Sequence, residues 1–169
     1  MDVDAAIRTR RTHKAYRQDP VSREVLDELF ELAAWAPNHN LTVPWRFRVV
    51  GPQALERLKE AAGAEAGAKF DRAPTLIVVS SVETGDAVQD EEDLHSTAVA
   101  AYIVLLAAHA RGLGGYWRTP GVLRERQGLE AVGVPDSERF VGLLHLGEVF
   151  GPKSAPERPD TADVVTYLG

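Results

Sequence analysis

The stretch Leu94–Arg111 carries the longest helical pattern in the chain, and it sets the first constraint on the fold. Leu94, Ala98, Ala101, Leu105 and Ala108 fall on one side at helical spacing, while Val99, Tyr102, Leu106 and His109 fall on others. A helix that is apolar most of the way round must be covered on more than one side. It is therefore either the centre of its own domain or packed against a partner subunit. Its apolar part, Ala98–Ala110, reads as too short and too polar to cross a bilayer.

The rest of the chain supplies what could cover it. Asp2–Thr9 reads as a short helix. Ser22 is an N-cap for a second, whose stripe is Val25, Leu26, Leu29, Phe30, Leu32 and Ala33 and which Pro37 ends. Trp45–Val50 alternates like a strand, with Phe47 and Val49 on one face and Arg46 and Arg48 on the other. Pro52 opens a third helix through Leu55, Leu58, Ala61 and Ala62. Gly63–Lys69 reads as a connection, and Thr75–Ser80, a continuous apolar run, as a buried strand. Glu83–Asp93 reads as a mobile acidic surface segment, and Gly112–Gly115 as the turn that stops the long helix. A short helix follows over Val122–Val132, then a strand over Phe140–Val149, a Pro-rich section and a terminal strand at Val164–Leu168. Few strands, unevenly connected and without a βαβ repeat, favour an α+β layered domain. The terminal strand could pair locally or at the edge of a partner's sheet.

With 169 residues, 44% of them hydrophobic, the chain fits one domain, residues 1–169, with a sizeable core. A net charge of −6 argues against a nucleic-acid partner. The absence of cysteine excludes disulfides, thiolate catalysis and cysteine metal sites. Met-Asp-Val-Asp lacks the basic-then-apolar pattern of a signal peptide, so the expectation is a cytoplasmic protein with no membrane partner.

Against that acidic balance stands Arg10-Arg11-Thr12-His13-Lys14. Three cations in five residues, interleaved with a hydroxyl and an imidazole, can hold a phosphate and a further anionic group. They can equally cap the first helix, where cations complement the dipole. The five histidines are scattered and give no metal-binding spacing. Asp90-Glu91-Glu92-Asp93 lacks the spaced turn of a calcium loop, so no metal site is expected. Trp45 reads as core or interface, Arg46 as a salt-bridge or ligand residue, His39 as a solvent-exposed loop residue and His145 as a hydrogen-bonded core residue.

Four stretches occur in order: the basic run; Ala36-Pro37 followed by Pro44-Trp45-Arg46-Phe47; Gly112-Leu113-Gly114-Gly115-Tyr116-Trp117-Arg118; and Val141–Gly147. Together they resemble the FMN-dependent nitroreductase family, in its short single-domain branch, over nearly the whole chain. The resemblance implies a mostly antiparallel central sheet flanked by helices, in a homodimer whose C-terminal strands are exchanged. It implies FMN as cofactor, with Arg10, Arg11 and Thr12 at its phosphate and Lys14 at the pyrimidine edge of its ring. Lys153, favoured over Arg158 by spacing, would return from the C-terminal arm to the phosphate. Trp117, Arg118 and Thr119, after the glycine-rich turn, would lie at the ring, where Pro120 removes one backbone donor common in relatives. Pro37, Asn38, His39 and Leu41 would reach the partner's flavin, with Leu41 and Val43 standing where polar residues are common. No side chain would be catalytic, because flavin N5 carries the chemistry: NADH or NADPH delivers a hydride and leaves, and a small acceptor such as a nitroaromatic or quinone takes its place. The alternative is a flavin carrier of the same fold that does not turn over.

Overall fold

Four strands form one antiparallel sheet in the computed structural model, which describes residues 1–169. They are β1 (Trp45–Val49), β2 (Thr75–Val82), β3 (Leu113–Arg118) and β4 (Glu138–Glu148), in spatial order β1-β2-β4-β3. The helices are α1 (Val3–Thr9), α2 (Arg23–Ala33), α3 (Pro52–Ala62), α4 (Ala64–Gly67), α5 (Ala87–Ala110) and α6 (Arg126–Ala131). The result is an α+β arrangement, as the sequence suggested.

The continuous apolar run of β2 is explained by burial on both faces. Ile77 and Val79 point into a core formed with α2 and α5, together with Leu29, Ala33, Ala101, Val104, Leu144 and Leu146. Leu76 and Val78 point the other way, to Leu58, Phe70, Leu123, Val132 and Leu143. The long helix α5 thus lies against one face of the sheet with α2 beside it, which covers it on more than one side. By length and composition α5 would suffice to cross a bilayer, contrary to the sequence reading. Half of that apolar window is nevertheless buried within the fold.

Other expectations are corrected. Most of the acidic segment Glu83–Asp93 belongs to α5, which begins at Ala87. Asp86 caps it by accepting hydrogen bonds from the Val88 and Gln89 N–H groups at 3.0 Å each. Asp90 accepts from the Thr84 and Gly85 N–H groups at 2.7 and 3.1 Å. Carboxylates at a helix N-terminus satisfy free donors and the dipole, which a charge count alone does not reveal. The glycine-rich turn is the edge strand β3: Gly112, at φ +83°, ends α5, and Leu113 already pairs with Glu148. A Cβ on Gly115 would come within 2.6 Å of Leu105 Cδ2, so this glycine allows α5 to pack close against the strand. The helix expected over Val122–Val132 is a 3-10 turn, Gly121–Arg124, followed by α6. Residues Val164–Leu168 form no strand within the chain, and residues 151–169 are exposed throughout.

The sheet is pinned where β2 and β4 shift register between Val79 and Ser80. Arg48 donates to both carboxylate oxygens of Glu138 at 2.8 Å, and Ser80 Oγ donates to the same carboxylate at 2.5 Å. Burial pushes the Glu138 carboxyl up, but the hydrogen bonds from Arg48 and Ser80 and the charges of Arg48 and Arg46 outweigh it, and its pKa is lowered. That contribution to stability is present above the unfolded carboxyl pKa and is lost as pH falls through the folded one. Glu138→Gln should therefore cost about 1–3 kcal/mol near pH 7, measured by urea denaturation. The gap to the native protein should narrow below about pH 4; a gap independent of pH would remove the charge argument.

Candidate functional site

The basic run is placed by its own backbone. α1 ends at Thr9, Arg10 turns extended, and the chain then runs beside β3. Thr12 forms a parallel bridge with Gly115, and the His13 N–H donates to the Gly115 carbonyl at 3.1 Å. The run therefore extends the edge of the sheet, and its side chains leave on alternate sides.

Arg10 lies with Cζ 5.8 Å from the centre of the Tyr102 ring on α5, and its buried Nε has no hydrogen-bond partner. Arg11 donates to its neighbour's carbonyl on Arg10 at 2.7 Å and to the Ser154 carbonyl at 3.3 Å. The Thr12 side chain is exposed, and its carbonyl accepts from Lys153 Nζ at 2.9 Å. Lys14 Nζ lies 5.8 Å from the centre of the Tyr116 ring on β3. The C-terminal arm thus brings Lys153 back to the run. None of the ion pairs in the structure uses Arg10, Arg11, Lys14 or Lys153.

Arg11 and Lys153 line a cavity of about 770 Å³ with Thr9, His13, His109, Leu113 and Val149 among its walls and no carboxylate side chain. Burial pushes the His13 imidazole down, followed by the charges of Lys153, His109 and Arg10. Burial likewise lowers His109, followed by Arg10 and Arg11. His109 Nε2 is 2.8 Å from Thr9 Oγ1. Chemically this is a seat for an anion: fixed cations, neutral imidazoles and hydroxyl groups, with no competing acid.

Trp117, Arg118 and Thr119 continue from this edge. Trp117 Nε1 donates to the Val141 carbonyl at 3.3 Å, Arg118 lies 5.4 Å from the Phe70 ring centre, and Thr119 is exposed. Pro37, Asn38, His39 and Leu41 are not joined to them. Asn38 donates to the Ala36 carbonyl at 3.1 Å and accepts from the Val43 N–H at 2.9 Å. His39 Nδ1 lies 2.7 Å from Glu92, and Thr42 donates to Asp93 at 2.6 Å, both partners standing near the start of α5. Pro37 is exposed, and Leu41 is 80% exposed, on a loop where Asn40, Leu41 and Val43 all adopt positive φ. Positive φ is unfavourable for Leu and more so for β-branched Val, so the loop is strained and held by these bonds.

Trp45 is a core residue as expected. Arg46 makes no salt bridge: it donates to the Val43 and Trp45 carbonyls at 2.9 Å. His145 is 1% exposed, but its Nε2 has no hydrogen-bond partner, which corrects the expectation of a bonded core histidine. It packs against Tyr116 with ring centres 5.5 Å apart. Sequence reasoning missed Tyr102, Tyr116 and His109 as neighbours of the run. Tyr102 and His109 are indistinguishable from helix filler in the pattern of α5, and Tyr116 was hidden in a presumed turn.

Comparison with known proteins gives a consistent result. The model of the family described as the nitroreductase family matches residues 7–148. A protein of Methanothermobacter thermautotrophicus, provisionally named an NADH dehydrogenase/NAD(P)H nitroreductase, is 36% identical over 172 residues, covering 97% of this chain and 83% of its own. The crystal structure of a nitroreductase-like family protein from Bacillus cereus superposes with a TM-score of 0.90 at 25% identity, covering 99% of this chain and 96% of its own. A provisionally named nitroreductase from Desulfovibrio desulfuricans, crystallised in complex with FMN, superposes with a TM-score of 0.83 at 26% identity, covering 100% of this chain and 98% of its own.

Burial, followed by the charges of Arg118 and Arg72, lowers the His145 pKa to about 4. The unfolded chain therefore takes up this proton first, and stability present above about pH 6.5 declines as pH falls toward the folded value. His145 should account for about 2 kcal/mol of the loss between pH 7 and pH 5. Urea denaturation of His145→Leu at the two pH values should show a loss smaller by that amount. Equal losses in both proteins would mean that the buried Nε2 finds a partner in solution.

Proposed function

The chain belongs to the nitroreductase family, and from that premise we propose that this oxidoreductase binds FMN and passes electrons from NADH or NADPH to a small acceptor such as a nitroaromatic or quinone. The observation that carries the reading is that Arg10, Arg11 and Lys14 of the run, and Lys153 of the arm that returns to it, have no carboxylate partner, and that Arg11 and Lys153 line a cavity with no acid in its walls. In a chain of net charge −6, four neighbouring cations in sequence and arm that no acid meets favour an anionic ligand. The unpartnered, buried Nε of Arg10 fits the same requirement.

FMN, when bound, would supply two-electron redox chemistry, so that one pocket could serve the nicotinamide donor and the acceptor in turn. The residues of the chain bind and tune. Arg10, Arg11, the Thr12 hydroxyl and Lys153 hold the phosphate, the guanidinium groups by their planar donor forks. Lys14 provides a fixed positive charge that favours negative charge at the pyrimidine edge of the ring. Trp117, Arg118 and Thr119, at the end of β3, are the residues that would lie at the ring.

The loop carrying Pro37, Asn38, His39 and Leu41 completes the pocket from a second copy of the chain. In this reading the active form is a cytoplasmic homodimer of single-domain chains. Exposed Val164, Tyr167 and Leu168 of the C-terminal arm support exchange of the arms, because such side chains are better covered. A flavin carrier without turnover is favoured by one observation: the buried Pro120, beside Thr119, offers no N–H.

The test is a visible absorption spectrum of the purified protein before and after incubation with FMN and desalting. Retained flavin absorbance is expected. Its anaerobic loss on adding NADH or NADPH supports the enzyme over the carrier. Arg10→Ala should weaken FMN binding about tenfold or more, as expected for a lost charge-assisted bond. A protein that retains no flavin would overturn the reading.

A further inference from the structure

Five arginines elsewhere in the protein are held by acids: Arg17 by Glu148, Arg23 by Asp27, Arg48 by Glu138, Arg111 by Glu28 and Arg126 by Glu130. Arg10 is held differently. Its guanidinium lies over the face of Tyr102, and its Nε is buried and bonded to nothing. An aromatic face attracts a cation through its quadrupole and leaves the charge intact. A carboxylate in the same place would fix Arg10 equally well, but it would cancel the charge that an anionic ligand requires.

Tyr102 is suited to this role by its position. It sits on α5 between Ala101 and Val104, both fully buried, so its backbone is fixed by the core. Tyr102 is only partly covered by its own chain, 38% exposed, with Arg10 seated over its ring. Lys14 repeats the arrangement over Tyr116 of β3.

We propose that Tyr102 is a positioning residue for Arg10, holding the guanidinium ready for a phosphate without neutralising it. This inference rests on the reading of the basic run as a phosphate site for FMN.

The experiment measures FMN dissociation constants, by quenching of flavin fluorescence, for the full chain and for Tyr102→Phe, Tyr102→Leu, Arg10→Ala and the double variant Arg10→Ala/Tyr102→Leu. Tyr102→Phe keeps the ring face and should bind like the native protein. Tyr102→Leu should bind about three- to tenfold more weakly. In the Arg10→Ala background, Tyr102→Leu should cause no further loss, because the residue acts through Arg10. A variant that merely misfolds would lose affinity in both backgrounds, so an additive loss overturns the proposal. Native affinity in Tyr102→Leu alongside weakened Arg10→Ala removes the role of Tyr102 and leaves the phosphate site standing. Native affinity in Arg10→Ala removes the phosphate site, and the role of Tyr102 with it.

Discussion

The candidate site depends on a short backbone contact, the pairing of Thr12 and His13 with Gly115 at the open edge of β3. Without it Arg10–Lys14 would be a loose tail after a seven-residue helix, and its cations would share no geometry. The contact requires a strand edge with free backbone groups and neighbours that leave room. Gly114 supplies the room: a Cβ there would press on Val149 and come within 3.1 Å of His13. The glycines of β3 are therefore packing residues, which allow α5, β3 and the basic run to approach one another more closely than side chains would permit.

This explains which parts of the molecule were legible in the sequence. Ser22 announces α2, and its side chain accepts the Val25 N–H at 3.4 Å; the apolar run of β2 announces a strand buried on both faces. In both cases the signal is local and the physics that decides it is local too. β3 was misread because Gly-Leu-Gly-Gly has no β propensity of its own, and only its neighbours make it a strand. The start of α5 was misread because four successive acids suggest solvent. In the fold they separate: Asp90 turns to Thr84 and Gly85, Glu92 to His39 and the buried Asp93 to Thr42. The basic run was visible as a charge anomaly, but its choice between helix cap and anion seat depended on whether acids met it. That is a tertiary fact.

Electrostatics separates the site from the rest of the surface. The surface ion pairs are mostly exposed, and pairs of that kind contribute little individually. None of them reaches Arg10, Arg11, Lys14 or Lys153, which keep their charge unpaired. The two imidazoles nearby are held neutral by burial and by those same cations, so they add donors and acceptors without raising the local charge further. The protein is acidic overall and cationic in one place, a pattern that favours a single anionic ligand over a polyanion spread across the surface.

α5 connects the two halves of the candidate site and also keeps them apart. Glu92 and Asp93, near its start, hold the strained loop that presents Leu41; Tyr102 and His109, toward its end, stand against Arg10 and Thr9. At 1.5 Å per residue, Glu92 and His109 lie roughly 25 Å apart along the helix axis. The positive φ at Val43 persists because the loop is tied at both sides: Asn38 accepts the Val43 N–H, Asp93 accepts from Thr42, and Glu92 lies against His39, so the start of α5 fixes a backbone that would otherwise relax.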